Sequence, residues 1–262
     1  MGDNGGGGAE TYLLGREERR RLELLEQCLD PMTTRSLDAI GVDEGWRCLE
    51  LGGGGGSITR MLCERVGPAG RVTAVDLDTR FLDELGEDNL DVQRRDLLID
   101  GLPGDGYDLI HARLLLMWLP TREKFLEEMA AALRPGGWLL VEDMDVFPLT
   151  TLAEGALAQV WGTVIGAFEA ANVAATLGRQ LPDLFDRAGL EAVEPVCHVP
   201  MFRGDSPFSA MFMASVAQMR PFIVASGGTE EQIAEFEREM ADSTQWFSGF
   251  AFYSVRGRAP AA

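Results

Sequence analysis

Five consecutive glycines stand between an apolar segment and a segment with helical spacing. The run occupies residues 52–56, after WRCLEL at 46–51 and before SITRMLCERV at 57–66. Glycine lets the backbone turn sharply and approach a ligand closely, and a helix that begins there offers unpaired N–H groups. A strand, a glycine turn and a helix in this order are typical of the first unit of an α/β sheet. A flexible loop that binds nothing is the alternative interpretation.

The first half of the chain repeats this alternation of short apolar runs and helical segments. Further strands are predicted at 71–76, 91–95, 107–112 and 138–142, and further helices at 79–86 and 121–133. Apolar runs of this kind predict parallel βαβ units whose strands are covered on both faces. We therefore expect an α/β fold with a doubly wound, mostly parallel, seven-stranded sheet of Rossmann-like type.

Four segments are predicted along the chain. They are a disordered glycine-rich tail at 1–10, an N-terminal helical cover at 11–40, a ligand-binding core at 41–147, and a remainder of the same domain at 148–262. The cover is expected to consist of two helices, because Asp30-Pro31 should end the first of them before residue 32.

The remainder is predicted to hold the last two strands of the sheet. EAVEPVCHV at 191–199 and GFAFYSVR at 249–256 are interpreted as antiparallel edge strands. Two helices, at about 206–225 and 229–241, lie between them in the sequence. A helical insertion between edge strands is a good place for a substrate lid.

The charge balance excludes two classes of partner. The chain has 23 basic and 42 acidic side chains, a formal net charge of −19. A protein that follows nucleic-acid phosphates or docks on an anionic membrane carries a basic face instead. We expect no nucleic-acid or membrane partner, and a monomer or homodimer.

The cysteines and the first residues favour a cytoplasmic location. Cys28, Cys48, Cys63 and Cys197 have no C-x-x-C spacing and lie among apolar residues, which suits buried free thiols in a reducing compartment. The first ten residues lack the basic and apolar regions of a signal peptide. No apolar run approaches the ~18 residues of a membrane span.

Two acidic residues are candidates for the same site as the glycine turn. Glu50 precedes the glycines, and Asp76 ends the second strand, where doubly wound folds place a carboxylate on ribose hydroxyls. A dinucleotide turn has the spacing G-x-G-x-x-G, but Ser57 stands at its third glycine position. A carboxylate at Glu50 repels a diphosphate and favours an ammonium or sulfonium group.

These residues resemble the motifs of one enzyme family. Glu50-x-Gly52-x-Gly54-x-Gly56 resembles motif I of the class I S-adenosyl-L-methionine (SAM)-dependent methyltransferases. The later motifs that resemble this family, in the same order, are Asp76, Arg95-Asp96-Leu97, Tyr107-Asp108-Leu109-Ile110 and Leu133-Arg134-Pro135-Gly136-Gly137. The resemblance covers residues 11–147 well and the C-terminal part loosely.

The resemblance implies SAM as cofactor, S-adenosyl-L-homocysteine (SAH) as product, and roles for the matching positions. Glu50 and the backbone of Gly52, Gly54 and Gly56 would hold the methionine end of SAM. Asp76 would bind the ribose hydroxyls. Leu77 would pack on the adenine, whose edge Asp96 and Leu97 would recognise.

A narrower resemblance concerns the N-terminal segment. Tyr12-x-Leu14-Gly15, followed by Arg21-Leu22, is similar to a segment of a bacterial small-molecule methyltransferase group. It implies that Tyr12 closes the SAM pocket and that Arg21 reaches the methionine carboxylate. A surface charge on a helix is the alternative for Arg21.

Several residues after strands four and five are candidates for the chemistry. His111 is a candidate general base, or else a strand-end histidine that positions the loop. Arg113 would bind the SAM carboxylate or backbone carbonyls, and Trp118 would line the pocket or anchor the next helix. The acidic cluster Glu142, Asp143 and Asp145 would orient a substrate; a magnesium site is less favoured, and we expect no metal.

Methionine and aromatic residues are frequent between residues 201 and 246. Phe202, Met211 and Phe212 are candidates for an adaptable apolar substrate pocket, and a structural core is the alternative.

The sequence therefore predicts methyl transfer from SAM to a small, largely apolar or aromatic acceptor in specialised metabolism. The alternatives are a SAM-binding cyclase or scaffold that transfers no methyl group, or an NAD-dependent oxidoreductase. The acceptor, the methylated atom (O, N or C) and the use of a base stay open.

Overall fold

The computed structural model describes residues 18–261, and it begins with a helix that runs through a proline. Helix α1 (Glu18–Ile40) contains Pro31, so the expected break at Asp30-Pro31 is wrong. A proline inside a helix removes a backbone hydrogen bond, at about 3 kcal/mol. Leu29 and Leu37, on either side of it, are buried, and burial of about 2 kcal/mol per leucine offsets this loss.

A seven-stranded sheet forms the centre of the larger of two compact units, residues 29–145, 173–198 and 251–261. Its strands are β1 (Arg47–Leu51), β2 (Arg71–Asp76), β3 (Leu90–Arg94), β4 (Tyr107–Arg113), β5 (Leu133–Asp145), β6 (Glu191–His198) and β9 (Ala251–Arg258). Their order is β3-β2-β1-β4-β5-β9-β6. The first five strands are parallel, and β9 is antiparallel to both of its neighbours. The predicted doubly wound, mostly parallel, seven-stranded sheet is confirmed.

Short helices connect these strands. They are α2 (Ser57–Val66), α3 (Leu97–Asp100), α4 (Arg122–Ala131) and α7 (Leu181–Arg187), with 3₁₀ turns at Leu116–Trp118 and Gly178–Gln180. The helix predicted at 79–86 is wrong, because this segment forms turns. The side chain of Asp78 accepts from the backbone N–H of Arg80, and Thr79 donates to Asp83. Such local side-chain hydrogen bonds compete with a helical backbone.

One face of the sheet packs on α1 and α2. Leu37 from α1 and Leu62 and Val66 from α2 meet Leu109 and Leu140 of the central strands, and all five side chains are fully buried. This core holds the C-terminal half of α1 over strands β1, β4 and β5. The side chains at the carboxyl ends of those strands are therefore held in place as well.

The second unit comprises residues 18–28, 146–172 and 199–250. Its elements are α5 (Phe147–Thr151), α6 (Gly155–Ala170), β7 (Met201–Arg203), α8 (Pro207–Ala225), α9 (Glu230–Ala241) and β8 (Trp246–Ser248). The two helices expected between the edge strands are present, and their role as a lid stays a prediction. The antiparallel pairing of β7 with β8 was not expected, since three-residue strands are too short to show alternation.

Helix α8 occupies almost the range predicted for it, 206–225, and is strongly apolar. Among the residues described, 18–261, it is the one helix long and apolar enough to cross a membrane by length and composition, and a third of that stretch is buried. Met211, Phe212, Val216 and Met219 form its buried side. A helix that packs one face into a protein core passes the same test.

Candidate functional site

The glycine turn between β1 and α2 adopts a backbone that other residues rarely accept. Gly52, Gly54 and Gly56 have φ angles of +73°, +53° and +94°, in the left-handed region that favours glycine. Gly53 has no such angle, but a Cβ atom there would lie 2.9 Å from Cδ2 of Leu82. Gly56 also stands at the N-cap position of α2. The turn is therefore a narrow backbone cradle at the carboxyl end of β1.

Asp76 lies directly beside this cradle. Its Oδ2 accepts a hydrogen bond of 2.9 Å from the backbone N–H of Gly54, and its Oδ1 accepts one of 3.0 Å from Asp78. Burial raises the pKa of Asp76 above its usual value, while these backbone donors oppose the rise. The structure thus brings together the two motifs, 22 residues apart, that the sequence placed in one site.

The next acidic motif lies on the neighbouring strand. Strand β2 pairs with β3 so that Asp76 is opposite Arg94, which places Leu77 and Asp96 at the same edge of the sheet. Asp96 caps α3 by accepting from the N–H of Leu98 at 2.9 Å. Leu77 is 45% exposed and Leu97 is half-buried, so both offer apolar surface at this edge.

A buried row of charged side chains crosses β1, β4 and β5. Glu50 is in register with His111, and Arg113 is in register with Glu142. His111 Nδ1 lies 2.6 Å from Oε2 of Glu50, and His111 Nε2 lies 3.4 Å from Oε2 of Glu142. Glu50, His111 and Glu142 are all at most 2% exposed.

Helix α1 completes this cluster from above the sheet. The hydroxyl of Thr33 donates to Oε2 of Glu142, and Arg113 donates to Thr33 at 3.0 Å and to Asp30 at 2.9 Å. We call Asp30, Thr33, Glu50, His111, Arg113 and Glu142 the polar cluster. Sequence reasoning missed Asp30 and Thr33 as members, because Asp30 was interpreted as a helix end and Thr33 carries no local signal.

The protonation of His111 follows from its two carboxylate neighbours. Burial alone would lower the pKa of His111, but the charges and hydrogen bonds of Glu50 and Glu142 raise it to about 9. Burial would likewise raise the pKa of Glu142, but His111, Arg113 and Thr33 hold it below the usual range. The histidine is therefore an imidazolium at neutral pH, and three carboxylates against two cations leave the polar cluster with a net negative charge.

This arrangement does not fit the predicted role of His111 as a general base. An imidazolium that donates from both ring nitrogens has no lone pair with which to accept a proton. The alternative stated for this residue, a histidine that positions its surroundings, fits the geometry. His111 joins β1, β4 and β5 and fixes the orientation of both glutamates.

One oxygen of the polar cluster has no partner. Oε1 of Glu142 is buried and finds no hydrogen bond within the part of the chain that the structure describes. A buried acceptor of this kind destabilises the protein by about 1–3 kcal/mol, and by more when it is charged. A buried acceptor without a partner is therefore a feature that a ligand or a water molecule can satisfy.

Comparison with known proteins agrees with this geometry. The family model for a methyltransferase domain matches residues 49–139, a stretch that contains the glycine turn, Asp76 and His111. Residues 49–139 therefore resemble a methyltransferase domain of the class I SAM-dependent family. The cofactor of this family is SAM.

Named relatives are methyltransferases as well. The ubiquinone/menaquinone biosynthesis C-methyltransferase UbiE of Hahella chejuensis is 29% identical over 114 residues, 40% of this chain and 46% of the relative. Methyltransferase GfsG of Streptomyces halstedii is 26% identical over 181 residues, 66% of this chain and 63% of the relative. The chain therefore spans less than two thirds of either relative.

A solved structure shows the same fold. The phosphoethanolamine N-methyltransferase 2 of Haemonchus contortus, determined in complex with SAM, superposes with a TM-score of 0.61 at 14% identity. The superposition covers 98% of this chain and 61% of that one.

The residues of this site fit SAM. Gly52, Gly54 and Gly56 have positive φ angles and carry no side chains, so the backbone of the turn can approach a ligand closely. The polar cluster beside it is anionic overall, and SAM is a cation at neutral pH. A net negative charge in a buried setting favours a cationic ligand over an anionic diphosphate.

The acidic residues that follow Glu142 have structural partners. Asp143 accepts from the backbone N–H groups of Met117 at 3.1 Å and Met144 at 2.9 Å, and burial raises its pKa to about 7. Asp145 forms an ion pair with Arg179. Among residues 18–261, no group of three or more His, Cys, Asp or Glu side chains is arranged to hold a metal.

Trp118 lies in the 3₁₀ turn whose backbone Asp143 holds, and it is half-buried there. Arg113 joins β4 to α1 through Asp30 and Thr33, so its binding to the SAM carboxylate stays a prediction. Tyr12 lies outside the described residues.

Arg21 is paired within its own helix. Its Nε and Nη2 donate to the two oxygens of Glu18 at 2.9 and 2.5 Å, and Glu18 also accepts from Gln218. The bidentate pairing competes with a contact to the SAM carboxylate, so that role of Arg21 stays a prediction.

The three apolar pocket candidates belong to a core. Phe202, Met211 and Phe212 are 4%, 2% and 0% exposed. Phe212 stacks on Phe250 at 4.8 Å and meets the edge of Trp161 at 5.3 Å. These side chains fill the interior of the second unit, which favours the alternative of a structural core, and their role in a substrate pocket stays a prediction. Cys197 is exposed, contrary to the expectation of four buried thiols.

Proposed function

We propose that the protein transfers the methyl group of SAM to a small-molecule acceptor and releases SAH. The observation that carries this proposal is the contact between Asp76 and the backbone N–H of Gly54. It joins the two motifs of the methyltransferase domain at the carboxyl ends of β1 and β2, where ligands bind in open α/β sheets.

The binding roles follow the chemistry of each group. Glu50 and the glycine backbone are positioned for the methionine end, because they combine a carboxylate with close backbone approach. Asp76 is positioned for the ribose hydroxyls. Leu77 and Leu97 offer apolar surface for the adenine ring, and Asp96 keeps one carboxylate oxygen for its amino group.

Bound SAM supplies a methyl group that is already activated by the sulfonium. The acceptor lone pair forms the new bond to carbon as the carbon–sulfur bond breaks, and that electron pair stays on sulfur. The chain mainly positions the acceptor and excludes water. His111 holds Glu50 and Glu142 and is already protonated, so a proton lost by the acceptor goes to solvent.

We propose a small, largely apolar or aromatic acceptor in specialised metabolism. The relative UbiE, named for ubiquinone and menaquinone biosynthesis, supports a small-molecule acceptor of this kind. The acidic net charge supports the absence of a nucleic-acid partner. A cytoplasmic location and a monomeric or homodimeric state belong to the same proposal.

Calorimetric titration with SAM, SAH and NAD tests the cofactor, and transfer of a labelled methyl group to a panel of phenols, quinols and amines tests the reaction. We expect SAM and SAH to bind, NAD not to bind, and label to enter at least one acceptor class. Absence of SAM binding would overturn the proposal. SAM binding without transfer to any acceptor would favour the non-methylating alternative.

A further inference from the structure

The two carboxylate oxygens of Glu142 have different surroundings. Glu142 is 1% exposed, and its Oε2 receives the hydroxyl of Thr33 and faces Nε2 of His111. Its Oε1 has no partner within residues 18–261. The two oxygens of one carboxylate therefore have different tasks: Oε2 is fixed by the protein, and Oε1 is left to accept a further donor.

The place of Glu142 in the sheet relates this oxygen to a ligand. The strand order reverses between β1 and β4, since β2 and β3 lie on one side and β5 on the other. Ligands of open α/β sheets bind at such a switch point, outside the carboxyl ends of the strands. Glu142 stands at the carboxyl end of β5, and the polar cluster joins it to Glu50 and His111 at the switch point itself.

The charge of Glu142 limits what it can bind. The residue stays ionised because His111, Arg113 and Thr33 surround Oε2, so it is a hydrogen-bond acceptor and a weak base. The polar cluster keeps a net negative charge after both cations are counted. A donor that carries or develops positive charge is the complementary ligand group.

We propose that Oε1 of Glu142 faces the methyl-transfer position and binds a hydrogen-bond-donating group of the acceptor there. This assignment rests on the proposed function and deepens it, because it restricts acceptors to compounds with N–H or O–H at the methylated atom. Glu142 orients that atom and stabilises the positive charge that reaches it as the methyl group arrives. The proton stays in the hydrogen bond to Oε1 as the methyl group arrives, and it is lost to solvent when the product leaves the site.

Sinefungin tests this proposal without knowledge of the acceptor. This SAM analogue carries an ammonium-bearing carbon in place of the methylsulfonium, so it puts a cationic donor at the transfer position, whereas SAH has none. Calorimetry at pH 7.5 gives the ratio of the SAH and sinefungin dissociation constants. We expect the wild type to prefer sinefungin by about tenfold or more, and Glu142→Gln to reduce this preference by about tenfold.

Asp143→Asn is the matched control, because it neutralises the adjacent buried carboxylate whose oxygens both accept backbone N–H groups. It should keep the preference. Two results would overturn the role of Glu142 but not the proposed function. In the first, SAM and SAH bind but sinefungin is not preferred; in the second, Glu142→Gln keeps the preference. A buried water that satisfies Oε1 would give either result. Failure of SAM and SAH to bind would overturn the proposed function too. If Glu142→Gln does not fold, a wild-type protein without preference for sinefungin still overturns the proposal.

Discussion

Nδ1 of His111 lies 2.6 Å from Oε2 of Glu50, and neither side chain is open to solvent. The pairing follows from register, because residues opposite each other on neighbouring parallel strands project to the same face of the sheet. A buried imidazolium between carboxylates is stabilised only while it is charged. The stability of the fold therefore depends on pH through His111.

We expect the free energy of unfolding to fall as pH rises past neutrality. The pKa of His111 is raised from 6.5 to about 9. Its contribution is therefore fully present below pH 6.5 and is lost as pH rises through 9, because the unfolded chain releases the proton first. The loss amounts to about 3 kcal/mol, measurable by urea denaturation between pH 6 and 9.5.

His111→Gln is the control for this pH dependence. Glutamine still donates a hydrogen bond but does not titrate, so the variant should be less stable than the wild type at pH 6.5 and should approach it at pH 9.5. Parallel pH profiles for the two proteins would contradict an imidazolium at this position.

A second pH window belongs to Asp143. Burial raises its pKa from 3.8 to about 7, so the unfolded chain loses this proton before the folded protein does, and stability falls as pH rises from 3.8 to 7. Between pH 5 and 7 the wild type should lose about 2 kcal/mol relative to Asp143→Asn. Denaturant unfolding of both proteins across this range measures the difference.

Asp183→Asn, at an exposed position of α7, controls for the removal of a carboxylate. It is expected to follow the wild-type profile. If Asp143→Asn also shows the wild-type dependence of stability on pH, Asp143 is ionised over the whole range from pH 5 to 7 and burial does not raise its pKa.

The sequence predicted those parts of the fold and site that are local in the chain. The glycine turn, the acid at the end of β2 and the acid after β3 each follow an apolar strand, and the carboxyl ends of parallel strands meet at one edge. Contacts across long separations carry no such pattern. Thr33 meets Glu142 across 109 residues and Arg113 across 80, so the polar cluster needed the tertiary structure.

Two predictions differ from the packing for a common reason. Residue type alone predicts a helix end at Pro31 and a candidate pocket residue at Phe212, because it carries no information on packing. Burial of Leu29 and Leu37 carries α1 past the proline. Stacking of Phe212 on Phe250 places it in a core. Apolar spacing alone does not separate a core from a binding surface.

Replacing Asp76 should weaken SAM binding selectively. Asp76→Ala removes the charge-assisted hydrogen bonds proposed for the ribose, so we expect the dissociation constant of SAM to rise about 10- to 100-fold. Asp78→Ala is the matched control, since it removes a carboxylate that pairs with Arg80 and keeps the backbone N–H that Asp76 accepts. Titration calorimetry compares the three proteins, and equal affinities would remove Asp76 from the cofactor site.

Arg21 and Arg20 are neighbours on α1 with different surroundings, which makes them a natural pair of variants. The side chains of Arg21 and Glu18 are 14% and 8% exposed, whereas those of Arg20 and Glu23 are 66% and 51% exposed. Arg21→Ala leaves a buried carboxylate with one remaining donor, Gln218, and should destabilise the protein by about 2–3 kcal/mol. Arg20→Ala should change stability by less than about 1 kcal/mol.

Thermal melts and SAM titrations of both arginine variants separate the two interpretations of Arg21. If the role of Arg21 is the bidentate pair with Glu18, Arg21→Ala lowers the melting temperature. Its affinity for SAM then equals that of Arg20→Ala. An unchanged melting temperature with a tenfold loss of SAM affinity would instead assign the guanidinium to the cofactor carboxylate. The structure favours the first outcome, because a guanidinium that already holds both oxygens of Glu18 would have to break a partly buried ion pair to reach a second carboxylate.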